Sequence, residues 1–269
     1  MRVDFIKMHG LGNDFVVLDG RETALPAMTQ SVAHALADRN TGIGCDQLIV
    51  LAASDMADFR MQIFNPDGSE VEACGNATRA VTLLNGADVS IETSGGLLHG
   101  RLTQAGICVD MGVPRFGWED IPLAYPVDTL HMPMGWEGLE RPSAVNVGNP
   151  HVVFFVADND VVRLDQLGPV IEQDEIFPER VNVNVATVES RQEMRLRVWE
   201  RGAGLTRACG TGACASAVAG MRLGLLDRQV DVHLPGGTLH IGWGADDRIT
   251  MTGPATESFR GSFEWKDYA

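Results

Sequence analysis

The chain has 269 residues, of which 45% are hydrophobic and 21% charged, enough to bury one large core or two cores of roughly 130 residues each. A formal net charge of -15, with Lys and Arg spread thinly, excludes the clustered basic face that a nucleic-acid backbone needs. No run of 18 apolar residues occurs, so no transmembrane helix or other membrane association is expected, and the opening MRVDFIKMHGLGNDF does not read as an export signal. A cytoplasmic protein follows. Five cysteines in such a chain are poor material for a disulfide framework and point to thiol chemistry or burial.

In chain order, alternating or continuous apolar runs bounded by Gly, Asn and Asp predict strands at 3–8, 14–19, 47–52, 59–64, 89–93, 97–102 and 106–111. Helices are predicted at 29–38 and 75–84. A Pro-spaced stretch, RFGWEDIPLAYPVDTLHMP (115–133), reads as a linker. Beyond it come strands at 143–147, 151–156, 180–188, 194–200, 229–234, 238–243 and 248–253, with helices near 160–172 and 210–224. A last strand at 258–265 has no counterpart in the second half, which leaves the first half as its destination. The class is α+β. Two halves are expected, 1–120 joined by 257–269, and 121–256.

The halves repeat one another. EACGNATRAV at 72–81 echoes RACGTGACAS at 207–216, and ten residues before each cysteine stands an aromatic, Phe64 or Trp199. That spacing sets Asn65 opposite Glu200. GNDFVVLD (12–19) resembles GNPHVVFFV (148–156), pairing Asn13 with Asn149, and VSIETSGGLLHG pairs with VDVHLPGGTLHI. With VDMGVP loosely matching ITMTGP, four ordered matches with a small drift in offset describe a duplication.

Each half therefore opens a helix directly after a cysteine, Cys74 or Cys209. The first turn of a helix has unpaired N–H groups and partial positive charge, which attract anions and favour thiolate over thiol. Cys74-Gly75-Asn76 and Cys209-Gly210-Thr211 share one form: a thiol, a glycine allowing close approach, and a hydrogen-bonding side chain. If the halves are related by a pseudo-twofold axis, two thiols flank one carbon, the arrangement that inverts a stereocentre by removing a proton from one face and supplying one to the other. A helix terminus contributes about 0.3–1 kcal/mol, up to about 2 when partly buried, whereas enzymes lower barriers by roughly 8–23 kcal/mol. Water exclusion and convergent hydrogen bonds must supply the remainder.

Six segments, MHGLGNDFVVLD, GIGCDQLIV, FNPDGSEVEACGN, NVGNPHVVF, FPERVNV and WERGAGLTRACGTGACA, resemble in order the signature segments of the diaminopimelate epimerase family. The resemblance implies two related halves, each a mostly antiparallel sheet rolled around a central helix. It also implies interconversion of LL- and meso-2,6-diaminopimelate, for lysine and cell-wall precursors, without cofactor or metal, in a homodimer. Cys74 and Cys209 then become the acid and base. Gly75, Asn76, Gly210 and Thr211 hold the reacting carboxylate, and Asn13, Gln47, Asn65, Asn149, Asn182, Glu200 and Arg201 make further substrate contacts. His151 supports a catalytic thiol. Three positions depart from the family's pattern: Cys45 stands where an aromatic is usual, Leu205 where a glutamate is frequent, and Ala80 where a cysteine is common. None of the three is an acid, a base or a carboxylate holder.

Blander readings stand beside these. Cys45, Cys108 and Cys214 read as packing residues, and His9 as a structural residue of a glycine-flanked turn. Asn13, Asn149 and Asn182 suit turns, Asn184 shares a strand face with Asn182, and Arg201 suits a surface ion pair. No zinc-ligand spacing or Walker lysine is present. Two other functions remain: racemisation of a different amino acid, and redox sensing through accessible, acidic Cys74 and Cys209 thiols that oxidation would join.

Overall fold

The computed structural model describes residues 1–72 and 74–269. Its elements in chain order are β1 (Arg2–Gly10), β2 (Asn13–Gly20), α1 (Gln30–Ala37), β3 (Gln47–Ala52), β4 (Phe59–Phe64), β5 (Glu70–Val71), α2 (Gly75–Asn85), β6 (Val89–Thr93), β7 (Gly96–Thr103) and β8 (Gly106–Gly112). There follow β9 (Gly135–Trp136), β10 (Leu139–Glu140), β11 (Ser143–Asn146), β12 (Pro150–Phe155), α3 (Leu164–Glu172), β13 (Asn182–Ser190), β14 (Glu193–Glu200) and β15 (Gly204–Thr206). The chain ends with α4 (Gly210–Arg222), β16 (Gln229–Leu234), β17 (Gly237–Trp243), β18 (Ile249–Gly253) and β19 (Thr256–Glu264) before a short 3-10 turn. Two compact units divide it, Met1–Val109 with Gly253–Ala269, and Asp110–Thr252. No described helix is long and apolar enough to cross a membrane.

In the first unit β1 and β2 pair antiparallel, β2 and β3 parallel, and β3 and β4 antiparallel. β4 then takes β5 antiparallel and β6 parallel, and β6, β7 and β8 continue antiparallel. The last strand, β19, lies antiparallel to β1. Side chains alternate across these strands, so one face looks to each helix. Phe15 and Val17 of β2, Ile49 and Leu51 of β3 and Met61 and Ile63 of β4 join Ala77, Ala80 and Val81 of α2 in one core. Their neighbours Val16, Leu18, Leu48 and Val50 pack on the other face with Val32, Ala33 and Leu36 of α1. The sheet thereby curls around α2, which ends at Gly86 in the left-handed conformation (φ 73°) that glycine adopts without strain.

The second unit repeats this order of pairings: β11 and β12 antiparallel, β12 and β13 parallel, β13 and β14 antiparallel, β14 with β15 antiparallel and with β16 parallel, then β17 and β18 antiparallel. Val183 and Val185 of β13 turn toward Leu164, Leu167 and Ile171 of α3. The alternate residues share the opposite face with α4, whose Gly- and Ala-rich surface is almost wholly buried. The repeated ladders establish the two-repeat α+β fold of mostly antiparallel sheets. The Pro-spaced stretch does not form a free linker. Ile121, Leu123 and Met132 from it are buried in the core beneath α3, because its apolar residues outweigh the turn-forming prolines between them.

Candidate active site

The ladder registers decide which polar groups reach the start of each central helix. In the first unit Phe15 stands opposite Gln47, and in the second His151 stands opposite Asn182. Leu48 opposite Phe64 corresponds in the same way to Val183 opposite Trp199. Gln47 and Asn182 are therefore equivalents, as are Asn65 and Glu200, which directly follow these aromatics.

Around α2, Cys74 is the N-cap: its backbone is extended (φ -148°, ψ 113°) and its sulfur accepts from the Ala77 N–H at 3.5 Å. This is the place a serine or aspartate usually takes, with sulfur in place of oxygen. Asn76, buried in the first turn, donates through Nδ2 to Asn13 Oδ1 at 3.0 Å. Asn13 Nδ2 in turn donates to Asp46 Oδ2 at 3.1 Å. Asp46 is bound by Arg39, which also pairs with Asp14, as does Lys7. Burial alone would raise the Asp14 carboxyl, but hydrogen bonds from Arg39 and Lys7 outweigh it and hold it down at about 2. Beside this group Gln47 Nε2 approaches Asn65 Oδ1 at 3.5 Å, and Asn65 is fixed by its backbone N–H to Ser69 O at 2.8 Å. Five of the expected contact residues thus gather at one helix start, with Gly75 opening the turn.

Around α4, Cys209 is again the N-cap, accepting from Gly212 N–H at 3.4 Å and lying 3.5 Å from Thr211 Oγ1. Gly210 opens the helix and is buried. Glu200 lies beside the thiol and accepts from the Thr206 hydroxyl. Asn182 ties the strands together: its Oδ1 accepts from the Arg201 N–H at 3.0 Å and its Nδ2 donates to Pro150 O at 2.8 Å. Among the described residues Arg201 makes no ion pair. Its Nη1 donates to Glu179 O at 2.9 Å, and the residue is exposed. His151 is fully buried between Asn149 Oδ1, 2.8 Å from Nε2, and Asn184 Nδ2, 3.1 Å from Nδ1. Burial pushes the imidazole down to about 3, aided by the Arg201 charge, so it is neutral at physiological pH.

One electrostatic expectation fails. The helix start was expected to make the thiol acidic, yet Cys209 is raised well above an ordinary cysteine. Only 3% exposed, it loses the hydration of its thiolate, and the Glu200 charge opposes ionisation further. These outweigh the helix terminus and its hydrogen bonds, as their magnitudes require. Burial likewise raises Cys45 to about 11 and places it in the core beside α1. Cys214 is buried within α4, whereas Cys108 on β8 is only half-buried. His9 belongs to β1 rather than a turn.

Sequence reasoning missed Asp46, Thr206 and Glu172, which hold Asn13, Glu200 and the turn after Arg201. Asp46 lies in the quoted GIGCDQ, next to Gln47, and that adjacency was the available signal. Thr206 lies with Glu200 in the quoted WERGAGLTRACG, though their contact depends on the β14–β15 turn, and Glu172 carries no signal because its partners are neighbours only in space.

Duplicated, mostly antiparallel sheets that each wrap a central helix define a fold class that solved structures share. The PhzF family phenazine biosynthesis protein of Bacillus anthracis superposes with a TM-score of 0.70 at 16% identity, covering 98% of this chain and 99% of that one. A hydroxyproline epimerase from Agrobacterium vitis, with bound trans-4-OH-L-proline, gives 0.70 at 15% identity over 97% and 91% of the two chains. Within that fold the sequence is more specific: the profile described as diaminopimelate epimerase matches residues 5–117 and 143–257, and the chain belongs to the diaminopimelate epimerase family. The protein named diaminopimelate epimerase from Erythrobacter litoralis (strain HTCC2594) is 65% identical over 269 residues, the whole of both chains.

Proposed function

We propose that this chain is a cofactor-independent isomerase that interconverts LL- and meso-2,6-diaminopimelate in lysine and peptidoglycan-precursor biosynthesis. One thiolate of the pair Cys74 and Cys209 removes the α-proton, and the other, as thiol, delivers a proton to the opposite face of the same carbon. The carbanion is held by N–H groups at the helix starts, from Gly75, Asn76, Gly210 and Thr211. The atoms balance without a further reagent: one C–H bond breaks, one forms, and the proton inventory of the two sulfurs is exchanged. Glu200 receives the substrate ammonium, Arg201 the distal carboxylate in a two-pronged grip, and Asn13, Gln47, Asn65, Asn149 and Asn182 complete the contacts, with His151 in support.

The observation that carries this reading is the pair of sulfur-capped helices at corresponding places in two units with the same ladder order, in a chain of this family. The raised Cys209 thiol suits the role of proton donor, and a bound ammonium would offset the Glu200 charge and ease the reverse role. The same burial disfavours a peroxide-sensing thiol, which works through exposed, acidic sulfur. On this reading the enzyme is a cytoplasmic homodimer.

Incubation of the whole protein with LL-diaminopimelate in deuterated water should label one α-carbon. Cys74→Ala and Cys209→Ala should each lower turnover more than about a thousandfold with the fold intact. Near-normal turnover in either variant overturns the two-thiol assignment. Labelling of proline or hydroxyproline in place of diaminopimelate would favour racemisation of another amino acid.

A further inference from the structure

The second unit carries polar side chains where the first carries core hydrocarbon. The registers align Phe15 with His151 and Ile49 with Asn184, and all four are fully buried. The first unit demonstrates that this fold is built with an apolar pair there. A buried polar group left without a partner costs about 1–3 kcal/mol, so a polar pair calls for a use beyond folding. The two side chains also touch, through Asn184 Nδ2 and His151 Nδ1.

The contacts fix the direction of every proton along the path. Asn184 Nδ2 faces two carbonyls, Val152 O at 3.0 Å and, more distantly, Asn182 O at 3.3 Å, so this end of the amide is the NH2, with one N–H on Val152 and the other shared between the ring nitrogen and Asn182. An NH2 turned toward an imidazole nitrogen needs a bare lone pair there. His151 Nδ1 is therefore unprotonated, and the single ring proton sits on Nε2. That N–H donates to Asn149 Oδ1 at 2.8 Å. Asn149 is thereby held with its oxygen toward the ring and its two N–H donors turned away. At the far end of the Asn184 amide, Oδ1 is buried with no donor among the described residues. It packs so near Gly212 that a Cβ there would lie 2.7 Å away.

We propose that Asn184 is a positioning residue that, through the His151 tautomer, makes Asn149 offer N–H donors rather than a carbonyl oxygen to a carboxylate of the substrate. The identity of that substrate rests on the epimerase reading; the tautomer relay belongs to the second unit alone. A merely structural tie between β12 and β13 would require only the bonds to Val152 and Asn182 and would be indifferent to the ring.

The test is NMR of the full-length protein with 15N-labelled histidine, from about pH 5 to about pH 8, combined with steady-state kinetics on diaminopimelate. Wild-type His151 is expected to show a bare Nδ1 and a protonated Nε2 throughout. Asn184→Ala should mix the tautomers and raise KM about tenfold, with kcat within about threefold, the signature of lost binding rather than lost chemistry. Asn184→Asp should reverse the tautomer, turn the Asn149 amide round and raise KM further, since an oxygen then meets the carboxylate. A wild-type His151 protonated on Nδ1, or a folded Asn184→Ala that keeps the wild-type spectrum and KM, overturns the proposal. The wild-type spectrum needs no variant to fold. Absence of epimerisation in the wild type would instead sink the functional reading, and the spectra would still decide the relay.

Discussion

Glu200 sits against Cys209, and its carboxylate adds to burial in driving that thiol far above an ordinary cysteine. The corresponding residue of the first unit, Asn65, carries no charge, so the two units differ at this position of the duplicated frame. Removing the charge should ease ionisation of Cys209. In Glu200→Gln the pH midpoint of Cys209 alkylation, followed by peptide mass spectrometry, should move down, while kcat/KM falls because the ammonium loses its counter-charge. A midpoint that stays or rises would mean that burial alone sets the thiol.

The buried His151 imparts a pH dependence to stability whose sign follows from its depressed value. Folded, it titrates near 3; unfolded, near about 6.5. Between these the unfolded chain binds the extra proton, so the contribution is complete above about pH 6.5 and is lost as pH falls toward the folded value. The double change His151→Phe with Asn184→Ile installs the pair found in the first unit. It should fold, lose less stability than wild type between about pH 7 and about pH 5, and bind substrate poorly. Urea midpoints at the two pH values measure this, and equal losses in both proteins would refute it.

How much of this was legible beforehand depended on whether the determinant was local. QLIVLA and FRMQIF become β3 and β4 with the same bounds, because an apolar run between turn residues is a local signal. The short β5, β15 and the β9–β10 hairpin were missed. At two or three residues they have no period of their own and exist only through their partners. The cysteine caps were visible because Cys-Gly recurs in order. The raised thiol was not, since it comes from burial and from a glutamate nine positions away whose approach depends on the β14–β15 turn. Asn184 was seen as a neighbour of Asn182, but its link to His151 exists only in the parallel β12–β13 ladder.

Glu172 closes the turn that carries Arg201. Only 4% exposed, it accepts from Trp199 Nε1 at 2.7 Å and from the Gly202 N–H at 3.0 Å. Hydrogen bonds to a charged group contribute roughly 1.5–3 kcal/mol each. Glu172→Ala should lower the melting temperature and raise KM for diaminopimelate by loosening residues 201–203, whereas Glu172→Gln, which keeps a carbonyl acceptor, should retain most of the stability. Calorimetry and kinetics on the pair of variants check this. A Glu172→Ala protein with unchanged KM would separate the turn from substrate binding.

Gly212 is constrained by proximity rather than by backbone angle. A Cβ at this position would lie 2.7 Å from Asn184 Oδ1, 3.1 Å from Val198 Cγ2 and 3.2 Å from Cys209 Sγ. The first distance is below any ordinary contact, and the amide cannot retreat without breaking its bonds to Val152 and His151. Alanine usually favours a helix over glycine by about 1 kcal/mol, so on propensity alone Gly212→Ala would stabilise α4. Packing reverses the sign, because overpacking a filled core costs typically 1–3 kcal/mol. The variant should therefore be less stable than wild type, with altered 15N shifts at His151 and reduced turnover as Cys209 is displaced. A more stable, fully active Gly212→Ala would show that the Asn184 amide is free to move, and the coupling between the α4 start and the buried His151 network would fall with it.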